Sequence, residues 1–122
     1  MTRSRASAKK AGAFFERQMA DYLAEALDND YIDKKPRGGS RDTGDVGGVR
    51  IDGHRLVIEC KNVAKMDLPG WTREAKKEAI NDGALAGLVI HKRHGVADPS
   101  QQWVTCTVAE LVALITKLPP EN

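Results

Sequence analysis

Arg55-Leu56-Val57-Ile58-Glu59-Cys60-Lys61 is the stretch that decides the fold. Its aliphatic and β-branched residues read as a buried strand. Side chains alternate across a strand, so Leu56, Ile58 and Cys60 share one face, and Val57, Glu59 and Lys61 the other. A carboxylate and an ammonium at the end of an apolar strand are costly unless paired or engaged by a metal ion. Fourteen residues upstream of Glu59 stands Asp45, in Gly44-Asp45-Val46. That interval holds one antiparallel strand, a turn at Asp52-Gly53 and the return strand. Asp45 and Glu59 are thus expected on neighbouring strands, near enough to hold one divalent cation between them.

Further upstream, residues 9–27 turn helical. Phe15, Met19, Tyr22, Leu23, Ala26 and Leu27 recur at spacings of three and four and form one apolar stripe. Glu16 falls on the edge of that stripe, in line with Ala20, Leu23 and Leu27. It is either a solvated glutamate suited to the helix dipole or a third carboxylate for the site. Ahead of the helix, residues 1–10 carry Arg3, Arg5, Lys9 and Lys10 and no acid. They read as a flexible basic arm, either solubilising or phosphate-contacting. A short edge strand at residues 31–33 is followed by a polar, glycine-rich loop around Gly38-Gly39-Ser40. Lys34, Lys35, Arg37 and Arg41 flank it, so it is either a plain connection or a contact to a phosphate backbone. No Lys-Ser/Thr follows the glycines, which excludes a P-loop.

Downstream, Asp67 and Pro69 open a helix over residues 68–82. Its narrow apolar seam is Trp71, Ala75 and Ala79, and Arg73, Glu74, Lys76, Lys77 and Glu78 read as a solvated face of mixed charge. A buried strand over residues 86–91 runs into the basic group His91-Lys92-Arg93-His94. Another strand covers 102–107, and a last amphipathic helix covers 108–118 before Pro119-Pro120. The order is helix, two or three strands, helix, strand, strand, helix. An α/β fold follows, with a mixed sheet flanked by helices.

The composition narrows the function classes. A chain of 122 residues makes one domain, expected over residues 11–118, with the arm before it and a tail over 119–122. Hydrophobic residues at 41% and charged ones at 30% are ordinary for a globular protein. No apolar run approaches the roughly 18 residues of a membrane span. The basic start lacks the apolar stretch of a secretory signal. Cys60 and Cys106 make no metal-ligand spacing and demand no disulfide, so a cytoplasmic protein without membrane contact is expected. A net charge of +2 means that any nucleic-acid footprint comes from local clusters such as the arm, residues 34–41 and residues 91–93. Few aromatics lie in those clusters and no base-reading helix stands out. Shape is therefore expected to be read rather than sequence.

A Glu-bearing helix, an Asp at a strand and Glu59-x-Lys61 closing the next strand resemble the PD-(D/E)xK nuclease superfamily. Gly12 to Leu27, Gly39-Ser40 with Gly44-Asp45-Val46, and Ile58-Glu59-Cys60-Lys61 are similar to the archaeal-type Holliday junction resolvases, small phage-encoded members included. Gly44 stands where the superfamily's name has proline, and Asp42 competes with Asp45 for the ligand role. Val46 and Val49 favour Asp45 by setting it on the strand. The resemblance implies a restriction-endonuclease-like core. It also implies Mg²⁺ (or Mn²⁺) on Asp45, Glu59 and the Cys60 carbonyl, with Glu16 completing the site directly or through water. Lys61 would act on the attacking water and on transition-state charge, and Ser40 would lie near the scissile phosphate. Arg3, Arg5, Lys9, Lys10, Lys34, Lys35, Arg37, Arg41, Lys92 and Arg93 would track the DNA. The reaction would be symmetric hydrolysis of two strands of a four-way junction in recombination or repair, by a homodimer whose interface uses an exposed Trp71, Trp103 or the last helix. In a phage-encoded member the location would be the host cytoplasm. Two other readings stay open: a nuclease of the same fold acting on flaps, ends or a specific duplex, and a non-catalytic DNA-binding module in which Glu59 and Lys61 form a salt bridge.

Overall fold

The structure is a computed structural model that describes residues 4–36 and 43–120. Helix α1 spans Arg5–Ala26, with Ser4 as its N-cap accepting the Ser7 N–H. It starts four residues ahead of the expected Lys9, so Arg5, Lys9 and Lys10 stand exposed on its first turns rather than in a flexible arm. The alanines and lysines there are good helix formers but show no apolar stripe, as their exposure allows. Strand β1 is Asp33–Lys34, β2 is Val46–Gly47, β3 is Arg50–Ile51 and β4 is His54–Lys61. Between β3 and β4, Asp52 and Gly53 both have positive φ, the twist of a two-residue hairpin turn.

The single strand expected ahead of that turn is split into β2 and β3. At Gly48 φ is +90°, and a Cβ there would lie 2.6 Å from the Tyr31 carbonyl oxygen. The chain therefore bends out of register between two short stretches that both pair with β4. Helix α2 (Leu68–Asp82) follows, with Asp67 as N-cap accepting the Gly70 N–H and Gly83 closing it in the left-handed conformation. It crosses to β5 (Ala86–His91), parallel to β4. A 3₁₀ turn leads to β6 (Trp103–Thr105), antiparallel to β5, and α3 covers Val108–Thr116.

The sheet order is β1-β2-β4-β5-β6, with β3 extending the β4 hairpin. Helix α1 packs Phe15, Met19 and Ala20 onto Ile58, Cys60 and Ile90 on one face. Helix α2 sets Trp71 and Ala75 against Val89 on the other. Strand β4 thus divides its residues between the layers as its alternation requires. Helix α3 closes one end, where Ala113 meets Leu85 and Ala86. Its buried Glu110 accepts the Gly87 N–H at 2.9 Å. Strand β6 ends at Thr105 opposite Val89, so this N–H two residues on has no strand partner and is bonded by a side chain instead. Among the described residues no helix is long and apolar enough to cross a membrane.

Candidate metal centre

Asp45, expected on the strand, stands one residue ahead of β2, where its backbone and side chain still bond β4 and bring it to Glu59. The Asp45 N–H donates to the Ile58 carbonyl at 2.9 Å. Its carboxylate Oδ2 then accepts the Cys60 N–H at 2.8 Å, so the side chain does what a further strand residue would have done. The N–H and C=O of one strand residue point to the same side. Ile58 and Cys60 point toward β2, whereas the Lys61 carbonyl accepts the Lys92 N–H on the β5 side. The Cys60 carbonyl therefore points toward the edge where the Asp45 carboxylate sits.

On the α2 face, Glu59 is only 4% exposed and its Oε2 is buried with no hydrogen-bond donor. Burial, with the carboxyls of Asp45 and Glu78 against it, pushes its pKa far above the ordinary carboxylate range. Without a bound cation Glu59 keeps its proton. Glu78 is 2% exposed. Carboxylate oxygens of Glu59, Glu74 and Glu78 lie within 4.8 Å of one another. Lys61 Nζ donates to Glu74 Oε2 at 2.9 Å. Burial alone would lower the Lys61 pKa, but Glu74, Glu59 and Asp45 raise it above its ordinary value. The ammonium is charged at neutral pH.

Glu74 and Glu78 were not among the expected site residues. Read as a solvated face, they instead flank the seam: Trp71, Glu74, Ala75, Glu78 and Ala79 fall at i, i+3, i+4, i+7 and i+8, the core-facing stripe of a helix. Two glutamates on that stripe were the signal.

The structure pairs Glu16 with Lys34, Oε1 to Nζ at 3.7 Å. The Glu16 carboxylate approaches β4 from the α1 layer, where it acts on the Cys60 thiol. That thiol is pushed up mainly by burial and then by Asp45, Glu16 and Glu59, so it carries its proton at neutral pH. Arg3, Ser40, Arg37, Arg41 and the competing Asp42 lie outside the described residues. Lys35 donates to the Thr43 carbonyl at 2.8 Å and faces Asp82 at 3.6 Å. Lys92 donates to the Val96 carbonyl, and the Arg93 guanidinium stacks 4.6 Å over the Trp103 ring. These three are engaged within the protein, whereas Arg5, Lys9 and Lys10 are exposed. The Asn62 amide reaches the Ala11 carbonyl at 3.4 Å, so the first half of α1 borders the β4 end that carries Lys61.

Two expectations are corrected. Trp71 is 8% exposed and lies 5.4 Å from the His91 ring, so it is core rather than an interface residue. His91 leaves the basic surface as well: it is buried on the α2 face, in register with Lys61, and bonds Thr105 Oγ1 at 2.7 Å. Burial lowers its pKa, so it is neutral at pH 7.

The fit to a cation rests on donor chemistry. All the converging side-chain donors are carboxylate oxygens, the hard ligands that suit Mg²⁺, Mn²⁺ or Ca²⁺ rather than a thiophilic metal. The cluster of Glu59, Glu74 and Glu78 could hold such an ion, and the Glu59 Oε2 has no hydrogen-bond partner within the protein. Comparison with family models, with curated proteins and with solved structures returned no match.

Proposed function

We propose that this chain is a metal-dependent endonuclease of the PD-(D/E)xK kind, and that it resolves four-way DNA junctions as a symmetric dimer. The observation that carries the reading is the convergence of Asp45, Glu59 and Lys61 at one end of β4, with Glu59 Oε2 buried and lacking a donor. The element order supports it too: a Glu-bearing helix, Asp45 just ahead of a strand that pairs with the Glu-x-Lys strand, then a helix crossing to a parallel strand.

Asp45, Glu59 and the Cys60 carbonyl would hold the cation, which when bound supplies Lewis-acid stabilisation of a phosphodiester and a more acidic water. The Cys60 N–H fixes the Asp45 carboxylate, so its orientation is set before any ligand arrives. A Lys61 ammonium with a raised pKa is a poor base at neutral pH. Its part is to hold positive charge where a phosphoryl oxygen gains negative charge, rather than to take a proton from water. Glu16 then stands behind the site, keeping Lys34 beside α1. Arg5, Lys9 and Lys10 lead from the mouth of the site along α1 and suit the phosphates of a duplex arm.

A dimer supplies what paired cuts in a four-way junction require. Val108, Leu111, Val112 and Ile115 recur at i, i+3, i+4 and i+7 along α3, and all are exposed, Val108 at 75% and Ile115 at 69%. Such a stripe is out of place on a lone domain. Val104 on β6 is exposed too, at 61%. A second copy of this chain is the proposed cover.

A non-catalytic module accounts less well for the site. It would retain three clustered carboxylates, with Asp45 beside Glu59, against one ammonium, and Lys61 pairs with Glu74 rather than with Glu59. The test is cleavage of a labelled immobile four-way junction beside a linear duplex and a flap, with Mg²⁺ and with EDTA. Paired symmetric nicks in the junction alone, only with metal, are expected. Metal-dependent cutting of flap or duplex instead would keep the chemistry and move the substrate. A junction bound but never cut would leave only a binding module.

A further inference from the structure

We infer that helix α2 adds a second cation position, made by Glu74 and Glu78 and sharing Glu59 with the position beside Asp45. The inference rests on the nuclease reading for its purpose, but its evidence lies in residues outside the Asp45 and Glu-x-Lys motif. Glu74 and Glu78 are one helical turn apart on the α2 stripe that faces β4. Their oxygens and one of Glu59 lie within 4.8 Å of one another, a spacing at which three carboxylates can turn toward a single ion. Glu59 is more than nine-tenths buried, and its Oε2, at most one carboxylate width from the oxygen that joins the cluster, has no hydrogen-bond partner. It is also adjacent to Asp45 and can therefore bridge two positions. Glu74 is the half-exposed member, with 43% of its side chain accessible, and provides the route by which an ion enters.

Charge counting points the same way. Asp45, Glu59, Glu74 and Glu78 against Lys61 leave three net negative charges when all are ionised. One divalent cation leaves the site still negative toward an incoming phosphodiester. Two make it positive by one charge, which the phosphodiester neutralises. Paired cations about 3.5–4 Å apart, stabilising the attacking and leaving oxygens of an in-line displacement, are a recurring solution to that problem. Lys61 meanwhile occupies Glu74 at 2.9 Å, so an ion at the second position competes with the ammonium for that carboxylate and frees it toward the substrate.

The full chain should be titrated with Mn²⁺, with free ion read from its paramagnetic resonance signal. Two ions per chain are expected. Glu74→Gln and Glu78→Gln should each weaken one of them by about tenfold or more. Asp45→Asn should weaken the other and spare the first. Lys61→Met should tighten the α2 ion by removing its competitor, a gain that a merely structural Glu74 would not produce. Glu74 is half exposed, so its variant keeps the test valid should Glu78→Gln unfold. One ion per chain, lost in Asp45→Asn and kept in Glu74→Gln, overturns the second position and leaves the nuclease reading standing. No ion bound by the wild-type chain removes both.

Discussion

The two faces of β4 are built by one strand and do opposite things. Toward α1 it presents Leu56, Ile58 and Cys60, which join Phe15, Met19, Ala20 and Ile90 in the largest apolar cluster among the described residues. Toward α2 it presents Val57, Glu59 and Lys61, and the apolar cluster there is reduced to Trp71, Ala75 and Val89. The space is shared with buried Glu59, Glu78 and His91. A strand's alternation lets one layer carry the stability while the other holds charge that no stable core would choose. The α2 face is tolerated because the α1 face is sound.

A matched pair of changes separates the two faces. Phe15 is 1% exposed at the centre of the α1 face. Phe15→Ala should cost about 3–5 kcal/mol in denaturant unfolding, a large share of the roughly 5–15 kcal/mol that holds a domain together. On the other face, Asp45→Asn and Glu59→Gln should reduce metal-dependent junction cleavage to background. The chain should stay folded and still bind the junction in a mobility-shift assay, because the carboxylates serve the cation rather than the DNA. Full cleavage by either variant would remove the proposed site.

How far the sequence revealed this division varies with the physics involved. Period-two alternation in residues 55–61 made both faces of β4 legible, and Asp52-Gly53 fixed the hairpin that returns Asp45 to Glu59. The same alternation would have assigned His91 to the α2 layer beside Val89, but its place in a basic run suggested a surface residue. Glu74 and Glu78 were less legible. A helical glutamate next to lysines is usually solvated, and only its position relative to Trp71 and Ala75 says otherwise. Trp71 itself could be core or interface, and composition does not choose. The first turns of α1 were hidden because an exposed helix of Ala and Lys has no apolar period to detect.

A smaller effect on the α2 face leaves the fold intact. Glu59 has a raised pKa in the folded, metal-free protein, so the folded chain holds a proton that the unfolded chain gives up. That contribution is complete below the ordinary Glu pKa of 4.5 and is lost as pH rises toward the folded value. His91 acts in the opposite sense, because burial lowers its pKa from 6.5, so its effect is confined to acid conditions. Between pH 7 and 9 in EDTA, then, stability should fall with rising pH, by at most about 1.4 kcal/mol per unit from Glu59. Thermal melts should show Glu59→Gln flattening that slope. Saturating Mg²⁺ should reverse it, since the cation binds the ionised form. A wild-type slope of zero in EDTA would mean that Glu59 is not held protonated.

The least disruptive change asks whether β4 can be altered on one face without being felt on the other. The Cys60 side chain belongs to the α1 core, while its N–H holds Asp45 and its carbonyl points to the same edge. The thiol is held neutral by burial and by the neighbouring carboxylates, so it offers no chemistry of its own. Cys60→Ala keeps every backbone group and removes one buried sulfur. It should cost about 1 kcal/mol in unfolding and leave both cation affinity and junction cleavage within a few-fold of wild type. Loss of cation binding with the fold intact would mean that the site draws on the α1 face as well. The two sides of β4 would then be one functional unit rather than a core with a site on its back.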